Sequence, residues 1–524
     1  MKREWSALCL LMLLAGRLPG QQVDSTELIF DDTEIHRFEL RFADDAWSDS
    51  LEYNKEIADE EYMPATMIYR SPDGDSIVLD SIGVRYKGNS SYELAKNTPK
   101  KSFKFRFDKY TDRQTFFGCE RLNFNNCVLD PSYLREKISY DIARDYMKAP
   151  RVAFATITVN GSLIGFYAQV EQVDELFLER NFSDPDGNLY KAGDNGAYLE
   201  YHGANKSSYE QSYELKTNTG ADDWSRFITM LYQLNTTPDS LFVRTVGAVI
   251  DLDGAVRHLA WTMLLSHFDS YTGSGRNYYL YDNPECGRFT FIPWDLNLSF
   301  GQYSNGWDVI KNSVVDIGNL DQRPLNRRIL ENDSLKNAYF GYLRSMMAGK
   351  GNPDSVANEV DRLKAIIDDA VRAEPADNAF YSYDDFLKNT DSNLVIREGL
   401  KSTTIWGLKS FSVARTAELT AQIEAGVSMP RDAVRRTTET LLRTGYRTSD
   451  GVVAVDFTLP ASSGVPVQVS VYNSQGREVF RTTAPVTAGR GRCRWGTKHA
   501  ATGIYAITVS NKTITLTDRV VLTR

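Results

Sequence analysis

The chain has few cysteines and few histidines, with five of each among 524 residues. No cysteine pair has the C-x-x-C spacing, so a zinc site is not expected. No Ser/His/Asp or metal-histidine cluster stands out either. Basic residues are in the minority, with 60 Lys and Arg against 69 Asp and Glu and a formal net charge of -9. This balance argues against a nucleic-acid partner.

Long hydrophobic runs are absent except near the start, which reads MKREWSALCLLMLLAGRLPGQQ. A basic beginning, an apolar run from Ala7 to Ala15 and small residues near Gly20 are typical of a bacterial-type signal peptide over residues 1–21. The run is too short to span a bilayer comfortably, and Cys9 is badly placed for lipid attachment. We expect a secreted or cell-surface protein without a transmembrane segment.

Four cysteines follow this segment: Cys119, Cys127, Cys286 and Cys493. Cys119 and Cys127 are close enough in sequence to close a small loop, and an oxidising compartment would permit a disulfide there. Two buried free thiols are the alternative. The sequence does not decide between them.

The length favours at least two domains. Strand patterns dominate up to Glu171, including the strict alternation of KKSFKFRFD and a hairpin at Asn160-Gly161. Between them, DPSYLREKISYDIARDYM is predicted to be a helix with Asp130 as its N-cap. Helical patterns follow to about Glu424. We predict an α+β domain over residues 34–424, in which an antiparallel sheet lobe and a helical lobe enclose a ligand cleft.

The last part of the chain has a different pattern. After a linker at 425–444, residues 445–524 form short alternating segments separated by turn residues, with no long helix. This pattern predicts a small β-sandwich of the immunoglobulin-like kind. It contains no catalytic cluster.

The most informative stretch is HFDSYTGSGRNYYLYDNPECGRFTFIPWDLN. NYYLYD and RFTFIPWD read as two strands joined by the turn NPECG, which would place Asn277 opposite Pro293 and Asp295 at the same open end. Asp269 precedes Asn277 on a glycine-containing loop that can fold back to that end. Two carboxylates and an amide oxygen would then converge, and such hard ligands suit Mg²⁺ or Mn²⁺.

This arrangement matches the needs of phosphoryl transfer, in which one acid orients a hydroxyl while the others hold metal. A purely structural interpretation stays open: Asp269 would cap a helix end, Asn277 would lie in a loop and Asp295 would make a structural hydrogen bond. His267 stands two residues before Asp269. The spacing does not fit the H-R-D motif of protein kinases, and we interpret His267 as structural.

Phosphoryl transfer also needs a cation that binds the nucleotide phosphates, and the sheet lobe offers a candidate. In KKSFKFRFD, Lys101 shares its parity with three core-facing phenylalanines and should point inward, whereas Lys104 should point outward. A buried lysine needs a counter-charge, such as a phosphate or the carboxylate of Glu136 or Glu171. Alternatively, Lys101 reaches solvent at the strand end.

The turn RYKGNSSY lies just upstream and carries Arg85, Lys87 and Ser90. Backbone N–H groups and hydroxyls in such a turn can hold a phosphate. It is neither a P-loop nor a complete G-x-G-x-x-G motif. A polar hairpin without a ligand is the alternative.

Together these stretches resemble the CotH (spore coat protein H) kinase family of secreted, atypical protein kinases, from about Glu34 to Glu424. The resemblance rests on GVRYKGNSS, KKSFKFRFD, LDPSYLREKISYDIAR, VNGSLIGFYAQVEQVDELFLERNF, GNLYKAG and HFDSYTGSGRNYYLYDNPECGRFTFIPWDLNLSFG. It implies a two-lobed kinase-like fold that binds ATP with Mg²⁺ or Mn²⁺. Phosphate would pass to Ser, with Thr as a further option, on secreted or surface proteins.

The resemblance also implies residue roles. Asp269 resembles the catalytic base, and Asn277 and Asp295 the metal ligands. Lys101 resembles the lysine that binds the nucleotide phosphates. The remaining candidates for the nucleotide side are Glu171, Glu136 as the partner of the lysine, Arg85 and Ser90.

One departure concerns Asn297, which stands where the family often has a second acid. If that acid binds metal, this chain holds one negative charge fewer and would bind Mg²⁺ more weakly or favour Mn²⁺. The carboxy-terminal segments VQVSVYNSQGREVF and ATGIYAITV are similar to C-terminal sorting domains of bacterial secreted proteins. This similarity implies a secretion machinery as a partner.

Two other classes of function remain. A non-catalytic surface, coat or adhesion protein could use a kinase-like lobe as a scaffold, but it would have no need of Asp269, Asn277, Asp295 and Lys101 together. A carbohydrate-active protein is disfavoured because no pair of carboxylates has a glycosidase context.

Overall fold

The computed structural model describes residues 24–71, 74–398 and 401–428, and within the carboxy-terminal part 441–447, 452–458, 467–473, 477–486, 490–497, 500–510 and 515–522. The predicted signal peptide and most of the predicted linker lie outside these ranges. The chain divides into two compact units, Met1–Ile423 and Glu424–Arg524. None of the described helices has the length and apolar character needed to cross a membrane.

The first lobe of the larger unit is a closed barrel of seven strands. They are β1 Ile35–Arg41, β2 Met63–Arg70, β3 Ser76–Lys87, β4 Ser102–Arg106, β5 Arg121–Asn125, β6 Val152–Val159 and β7 Ser162–Val170. The order is β1-β2-β3-β4-β5-β7-β6, and β1 closes the barrel by pairing in parallel with β6. The prediction of an antiparallel sheet therefore missed both the closure and this parallel pair.

The barrel core follows the alternation of β4. Phe103, Phe105 and Phe107 are fully buried in one cluster with residues such as Phe38 and Leu40. The hairpin at Asn160 and Gly161 is confirmed, since Val159 pairs with Ser162 and both turn residues have positive φ.

Three helices accompany the barrel: α1 Trp47–Glu56, α2 Ser90–Leu94 and α3 Arg135–Arg144. Helix α3 begins later than predicted because Tyr133 has a left-handed φ of 60°, which no helix accommodates. Asp130 accepts hydrogen bonds from the backbone N–H groups of Ser132 and Arg135 at 2.9 Å each. It therefore orders the turn that precedes the helix instead of capping a helix that starts at the next residue.

The second lobe combines a small sheet with helices. Its strands β8 Leu189–Ala192, β9 Tyr213–Leu215, β10 Tyr278–Asn283 and β11 Arg288–Pro293 are ordered β11-β10-β8-β9. Its helices are α4 Glu175–Asn181, α5 Ser225–Thr236, α6 Phe242–Val246, α7 Leu252–Leu264, α8 Pro324–Glu331, α9 Asp333–Ala348, α10 Pro353–Arg372, α11 Tyr383–Asp391 and α12 Leu408–Ser428. A separate hairpin pairs β12 Leu394–Glu398 with β13 Lys401–Ile405.

The cysteines show that the two lobes have separate cores. Cys119 belongs to the core of the barrel, whereas Cys127 belongs to the core of the helical lobe. Both are free, buried thiols. The disulfide alternative is therefore wrong, and the free-thiol alternative holds. Burial raises the pKa of Cys119 to about 12.

The smaller unit contains two antiparallel sheets. Their strands are β14 Leu441–Arg447, β15 Val452–Thr458, β16 Val467–Tyr472, β17 Glu478–Ala484, β18 Arg490–Gly496, β19 Gly503–Ser510 and β20 Thr515–Leu522. One sheet is ordered β14-β15-β18 and the other β17-β16-β19-β20. Side chains from both sheets, including Val455, Trp495 and Ile507, form one buried cluster. The immunoglobulin-like topology stays a prediction.

Candidate active site

The β10–β11 hairpin brings Asn277 and Asp295 to its open end. Tyr278 pairs with Pro293, and the Trp294 N–H donates to the Asn277 carbonyl at 3.1 Å. The register differs by one residue from the predicted one, because the strands continue to the pair Asn283–Arg288 and shorten the turn. The convergence of the two side chains follows from either register, because both residues flank the same strand ends.

The loop after α7 carries Asp269 to the same place. The Asn277 amide donates to Asp269 Oδ2 at 2.9 Å, and the Ser274 hydroxyl donates to Asp269 Oδ1 at 2.6 Å. Asp269, Asn277 and Asp295 are all half-buried. Burial raises the pKa of Asp295, the Lys87 ammonium opposes this rise, and the Asp269 carboxylate adds to it. The three oxygen-bearing side chains are thus brought together.

Two of these residues have unusual backbone conformations. Asn277 has a φ of 60° and Asp295 a φ of 53°. Non-glycine residues in the left-handed region store strain, and such strain is concentrated at functional sites. The Tyr140 hydroxyl accepts the Asp295 N–H at 3.1 Å, which helps to hold Asp295 in this conformation.

A lysine does lie beside the acids, but it is Lys87. Its ammonium donates to Asn125 Oδ1 at 2.7 Å, and Asn125 in turn donates to Glu136 Oε2 at 2.8 Å. Burial lowers the pKa of Lys87, and the charges of Asp295 and Glu136 oppose that shift. Burial raises the pKa of Glu136, Asp295 adds to this rise, and Lys87 opposes it. Glu136 therefore lies in the cluster, as a neighbour of Lys87.

Lys101 does not join this cluster. Its parity was predicted correctly, and the side chain is buried on the barrel side with an exposure of 1%. There its ammonium donates to Glu52 at 2.7 Å and to the carbonyls of Thr98 and Lys96 at 2.9 and 3.3 Å. All three donors of the ammonium are used. The counter-charge comes from α1, and we correct the expectation that Glu136 or Glu171 supplies it.

Glu171 is also engaged elsewhere. Its carboxylate pairs with Arg151 at 2.7 Å and with Arg180 at 2.6 Å, and it accepts the Arg151 N–H at 2.9 Å. These contacts tie the end of β7 to α4, so they account for a structural role. A role for Glu171 on the nucleotide side stays a prediction that these contacts do not favour.

The turn after β3 reaches across to the second lobe. Its Asn89 amide donates to the Asp194 carboxylate, and Arg276 donates to the Asp194 carbonyl at 2.9 Å. Ser90 begins α2 and is exposed, whereas the Arg85 guanidinium pairs with Glu60. The turn therefore spans the cleft next to the loop that carries Asn277. Binding of phosphate by Arg85 or Ser90 stays a prediction.

Two lysines near the cluster were not predicted as site residues. Lys104 points outward as expected, and its ammonium donates to Gln172 Oε1 at 2.9 Å. Burial lowers the pKa of Lys104 well below its usual value, and so do the nearby charges of Arg85 and Lys87. Lys191 on β8 is close enough to act on both Asp295 and Lys87. Within the described ranges, Lys104 and Lys191 form no ion pair with a carboxylate.

Comparison with known proteins identifies the family. Residues 84–397 match the sequence model described as CotH kinase protein, and this range contains every residue of the cluster. The chain belongs to the CotH kinase family. A curated relative is inner spore coat protein H of Bacillus subtilis (strain 168), which is 29% identical over 296 residues, or 56% of this chain and 76% of the relative.

Two further matches concern the rest of the chain and its fold. Residues 449–523 match the secretion system C-terminal sorting domain, which identifies the smaller unit as a sorting module. A solved structure of the twitchin kinase region from C. elegans is similar at 7% identity and a TM-score of 0.15, over 89% of this chain and 74% of that one. A likeness this low carries no argument about the fold.

The histidine next to the loop of this CotH kinase family member is deeply buried. His267 is 1% exposed, and neither ring nitrogen has a hydrogen-bond partner among the described residues. Burial lowers its pKa to about 3, and the neighbouring His258 adds to the effect. The imidazole is therefore neutral at ordinary pH, and its contact with the Trp261 ring at 5.6 Å is a packing contact.

A second group of acids lies away from the cleft. Carboxylate oxygens of Asp32, Asp141 and Glu359 lie within 4.8 Å of one another. The Lys137 ammonium is 2.5 Å from both Asp32 and Asp141, and Arg362 pairs with Asp32 and Glu359. Protein cations already balance these acids, so the group does not need a metal ion.

Proposed function

We propose that the chain is an exported protein kinase that transfers the γ-phosphate of ATP to Ser, with Thr as a second acceptor. The observation that carries this proposal is the cluster of Asp269, Asn277 and Asp295 beside the ammonium of Lys87. Membership of the CotH kinase family supports the same reaction class. A scaffold protein would have no use for this combination of groups in one cleft.

The donor set fits a divalent cation. The Asp269 carboxylate helps to raise the pKa of Asp295, as expected for two like charges that lie close together. Two carboxylates and an amide oxygen are hard ligands, which Mg²⁺ and Mn²⁺ prefer. A bound cation would neutralise charge that develops on the transferred phosphoryl group. Asn277 and Asp295 are the proposed ligands.

The nucleotide phosphates would be bound by lysines on the outer face of the barrel. Lys87 and Lys104 extend from neighbouring strands, with Lys87 paired to Ser102 and Arg85 paired to Lys104 in the ladder. Positions two residues apart on one strand are about 7 Å apart, which suits successive phosphate groups. Lys191 approaches from the second lobe. Their shared lack of carboxylate partners among the described residues favours an anionic ligand here.

Asp269 would act as the base. The acceptor hydroxyl would donate to Asp269 Oδ1, where the Ser274 hydroxyl now donates, while Asn277 keeps Oδ2 oriented. The acceptor oxygen then bonds to the γ-phosphorus, the bond from this phosphorus to the bridging oxygen breaks, and ADP leaves. The hydroxyl proton passes to Asp269.

The alternative is a kinase-like surface or coat protein without catalytic activity. One observation favours it: both carboxylate oxygens of Asp269 already accept hydrogen bonds from within the chain. In this case the cluster would serve only to hold the loop and the hairpin together.

Two segments support a proposed location outside the cytoplasm, namely the proposed signal peptide and the sorting domain. The sorting domain at 449–523 belongs to proteins handled by a secretion system. Together with the proposed signal peptide at 1–21, it supports a secreted or surface location and secreted or surface proteins as substrates. The secretion machinery would be the partner of the smaller unit.

The direct test is phosphate transfer from γ-labelled ATP to casein with Mn²⁺ or Mg²⁺. Replacing Asp269→Asn should reduce incorporation about 100-fold or more, because the base is lost while the side-chain shape is kept. Asp223→Asn, at an exposed position outside the cleft, is the matched control and should leave incorporation unchanged. Equal incorporation by the native protein and Asp269→Asn would remove Asp269 from the mechanism. No incorporation by the native protein would favour the scaffold.

A further inference from the structure

A buried arginine binds backbone carbonyls of the loop that carries Asp269. Arg323 is 1% exposed. Its Nε donates to the Tyr271 carbonyl at 2.6 Å, its Nη2 donates to the Gly273 carbonyl, and its Nη1 donates to the Gln322 carbonyl at 2.9 Å. Among the described residues it forms no ion pair with a carboxylate. A guanidinium buried against carbonyl groups alone is costly to maintain, so its position calls for an explanation.

The arginine is part of a close-packed support. Its guanidinium lies 4.0 Å from the centre of the Tyr198 ring. The same ring covers Gly275, where a Cβ atom would come within 2.0 Å of a Tyr198 ring carbon. At Gly273 a Cβ atom would lie 1.9 Å from the Phe268 carbonyl oxygen. The two glycines of the loop are thus pressed against their supports and leave little room for movement.

The first turn of α8 adds two more contacts to the same loop. The Leu325 N–H donates to the Tyr271 hydroxyl at 3.3 Å, and the Asn326 amide donates to Thr272 Oγ1 at 3.0 Å. Three successive loop residues, 271–273, are therefore held by 323–326. Asp269 lies on one side of this held segment and Asn277 on the other.

We propose that Arg323 is a positioning residue for the active site: it fixes the loop so that Asp269 and Asn277 keep their mutual geometry. It touches neither side chain and acts through the carbonyls of Tyr271 and Gly273. The planar fork of an arginine can hold two carbonyls at once, whereas a lysine ammonium cannot reproduce that geometry. The kinetic part of this inference rests on the proposed kinase function, and the structural part does not.

The same helix offers a matched control. Arg328 is 6% exposed, lies 4.2 Å from the centre of the Phe242 ring and donates to the Leu234 carbonyl at 2.9 Å. It resembles Arg323 in burial, ring contact and carbonyl bonding. Its contacts, however, join α8 to α5, α6 and Asp239, and none of them reaches the loop.

The first experiment compares Arg323→Lys with Arg328→Lys in the full chain. We expect both variants to lower the melting temperature, because each loses its contact between guanidinium and ring; Arg323 also gives up bonds to up to three carbonyls, and Arg328 its bond to the Leu234 carbonyl beside the pair with Asp239. In phosphate transfer to casein, Arg323→Lys should lower kcat about 10- to 100-fold with KM for ATP nearly unchanged, since small displacements of reacting groups have effects of this size. Arg328→Lys should keep the native kcat.

The second experiment does not depend on activity. Amide hydrogen exchange is followed in peptides covering residues 268–278, where the Ser274 N–H donates to the Phe268 carbonyl at 3.0 Å and the Gly275 N–H to the Ser270 carbonyl at 2.8 Å. In the Arg323→Lys variant, these amide hydrogens should exchange with solvent about tenfold faster than in the native protein. Arg328→Lys should exchange them at the native rate.

The outcomes separate the two claims. Equal effects of both variants on kcat and on loop exchange would overturn the positioning role and leave Arg323 as an ordinary core residue. If the native protein transfers no phosphate, the kinase proposal fails, and the exchange rates alone decide whether Arg323 fixes the loop. An Arg323→Lys variant with native exchange in 268–278 would end the inference in either case.

Discussion

The two faces of the barrel wall handle their lysines in opposite ways. On the inner side, Lys101 is bound by Glu52 and two carbonyls and lies 5.3 Å from the centre of the Tyr86 ring. On the outer side, Lys87 and Lys104 donate to the amide oxygens of Asn125 and Gln172. The inner lysine has its counter-charge within the fold. In the part of the chain that the structure describes, the outer lysines donate hydrogen bonds to neutral amide oxygens alone.

This difference supports the proposal that the outer lysines bind an anionic ligand. Lys104 forms no ion pair with a carboxylate among the described residues, and the carboxylates whose charges act on Lys87, those of Asp295 and Glu136, belong to the acid cluster itself. Half-buried cations in this setting favour an anionic ligand. Burial lowers the pKa of both outer lysines, Lys87 and Lys104. Under the proposed function, the outer face would bind the nucleotide phosphates, whereas the inner pair serves stability. Three measurements on the lysines test this contrast, and a further one tests the buried histidine of the helical lobe.

The largest effect is expected for Lys87→Met. Loss of a charged donor that acts on the transferred phosphate should lower kcat/KM for ATP about 100- to 1,000-fold. The melting temperature should change less than in Lys101→Met, because Lys87 has no dedicated ion-pair partner among the described residues. The measurement is transfer kinetics with Mn²⁺ beside a thermal melt. Native kinetics in Lys87→Met would dismiss the outer face as the phosphate site.

Lys101→Met should have the reverse effect. Removing the ammonium leaves the Glu52 carboxylate without its partner, and Glu52 is 32% exposed in a pair in which Lys101 is 1% exposed. We expect a loss of about 3 kcal/mol in the free energy of unfolding, at the low end for a broken buried pair because Glu52 is partly solvated. Urea unfolding gives the value. A soluble, stable Lys101→Met variant that has lost ATP binding would restore Lys101 to the nucleotide site.

Acid should destabilise the helical lobe through His267, whose ring is buried and whose nitrogens have no hydrogen-bond partner among the described residues. Burial lowers the pKa of His267 to about 3, whereas an unfolded histidine has a pKa of about 6.5. The unfolded chain therefore binds the extra proton first as pH falls, and stability is lost between about 6.5 and 3. Because of this histidine, the free energy of unfolding should be about 2 kcal/mol lower at pH 5 than at neutral pH.

The measurement is urea unfolding at pH 7 and pH 5 for the native protein and His267→Phe. The variant should lose less stability on acidification by about that same 2 kcal/mol. His202→Phe is the control, because the His202 side chain is 56% exposed. Identical acid sensitivity in the native protein and His267→Phe would contradict a neutral, buried His267.

The smallest effect is expected for Lys104→Gln. If Lys104 binds phosphate at some distance from the reacting atoms, its loss should raise KM for ATP about tenfold, the effect of one charge-assisted hydrogen bond. Arg106→Gln is the control on the same outward face, since Arg106 already pairs with Asp108 at 2.8 Å. Equal KM values for the two variants would confine phosphate binding to Lys87.

The convergence of Asp269, Asn277 and Asp295 could be predicted from sequence because they lie on one hairpin and its adjacent loop. Local strand pairing predicts the positions of Asn277 and Asp295 to within one residue of the observed register. Gly273 and Gly275 allow the loop to bring Asp269 back to the same end of the hairpin. Long-range packing then decided only the details, such as the hydrogen bond from Ser274 to Asp269.

The counter-charge of Lys101 was predicted wrongly, since Glu52 supplies it instead of Glu136 or Glu171. Parity correctly placed Lys101 on the inner face, but it does not say which face borders the cleft. That border depends on α3, whose Glu136 lies beside Lys87 and Asn125. The barrel closure through the parallel β1–β6 pair was missed as well, since strands so far apart in sequence leave no local signal of their pairing.

The sequence by itself determined the elements whose signals are local: the alternating strands, the Asn160-Gly161 turn, the acid-amide-acid hairpin and the two-part organisation of the chain. Only the tertiary structure decided which lysine lies beside the acids, that Cys119 and Cys127 lie in different cores, and that Arg323 binds the carbonyls of the loop. The physical reason is that the alternation of side chains along a strand and the residue preferences of turns depend on only a few neighbouring residues. The environment of a buried charge, in contrast, is set by whichever distant segments pack against it.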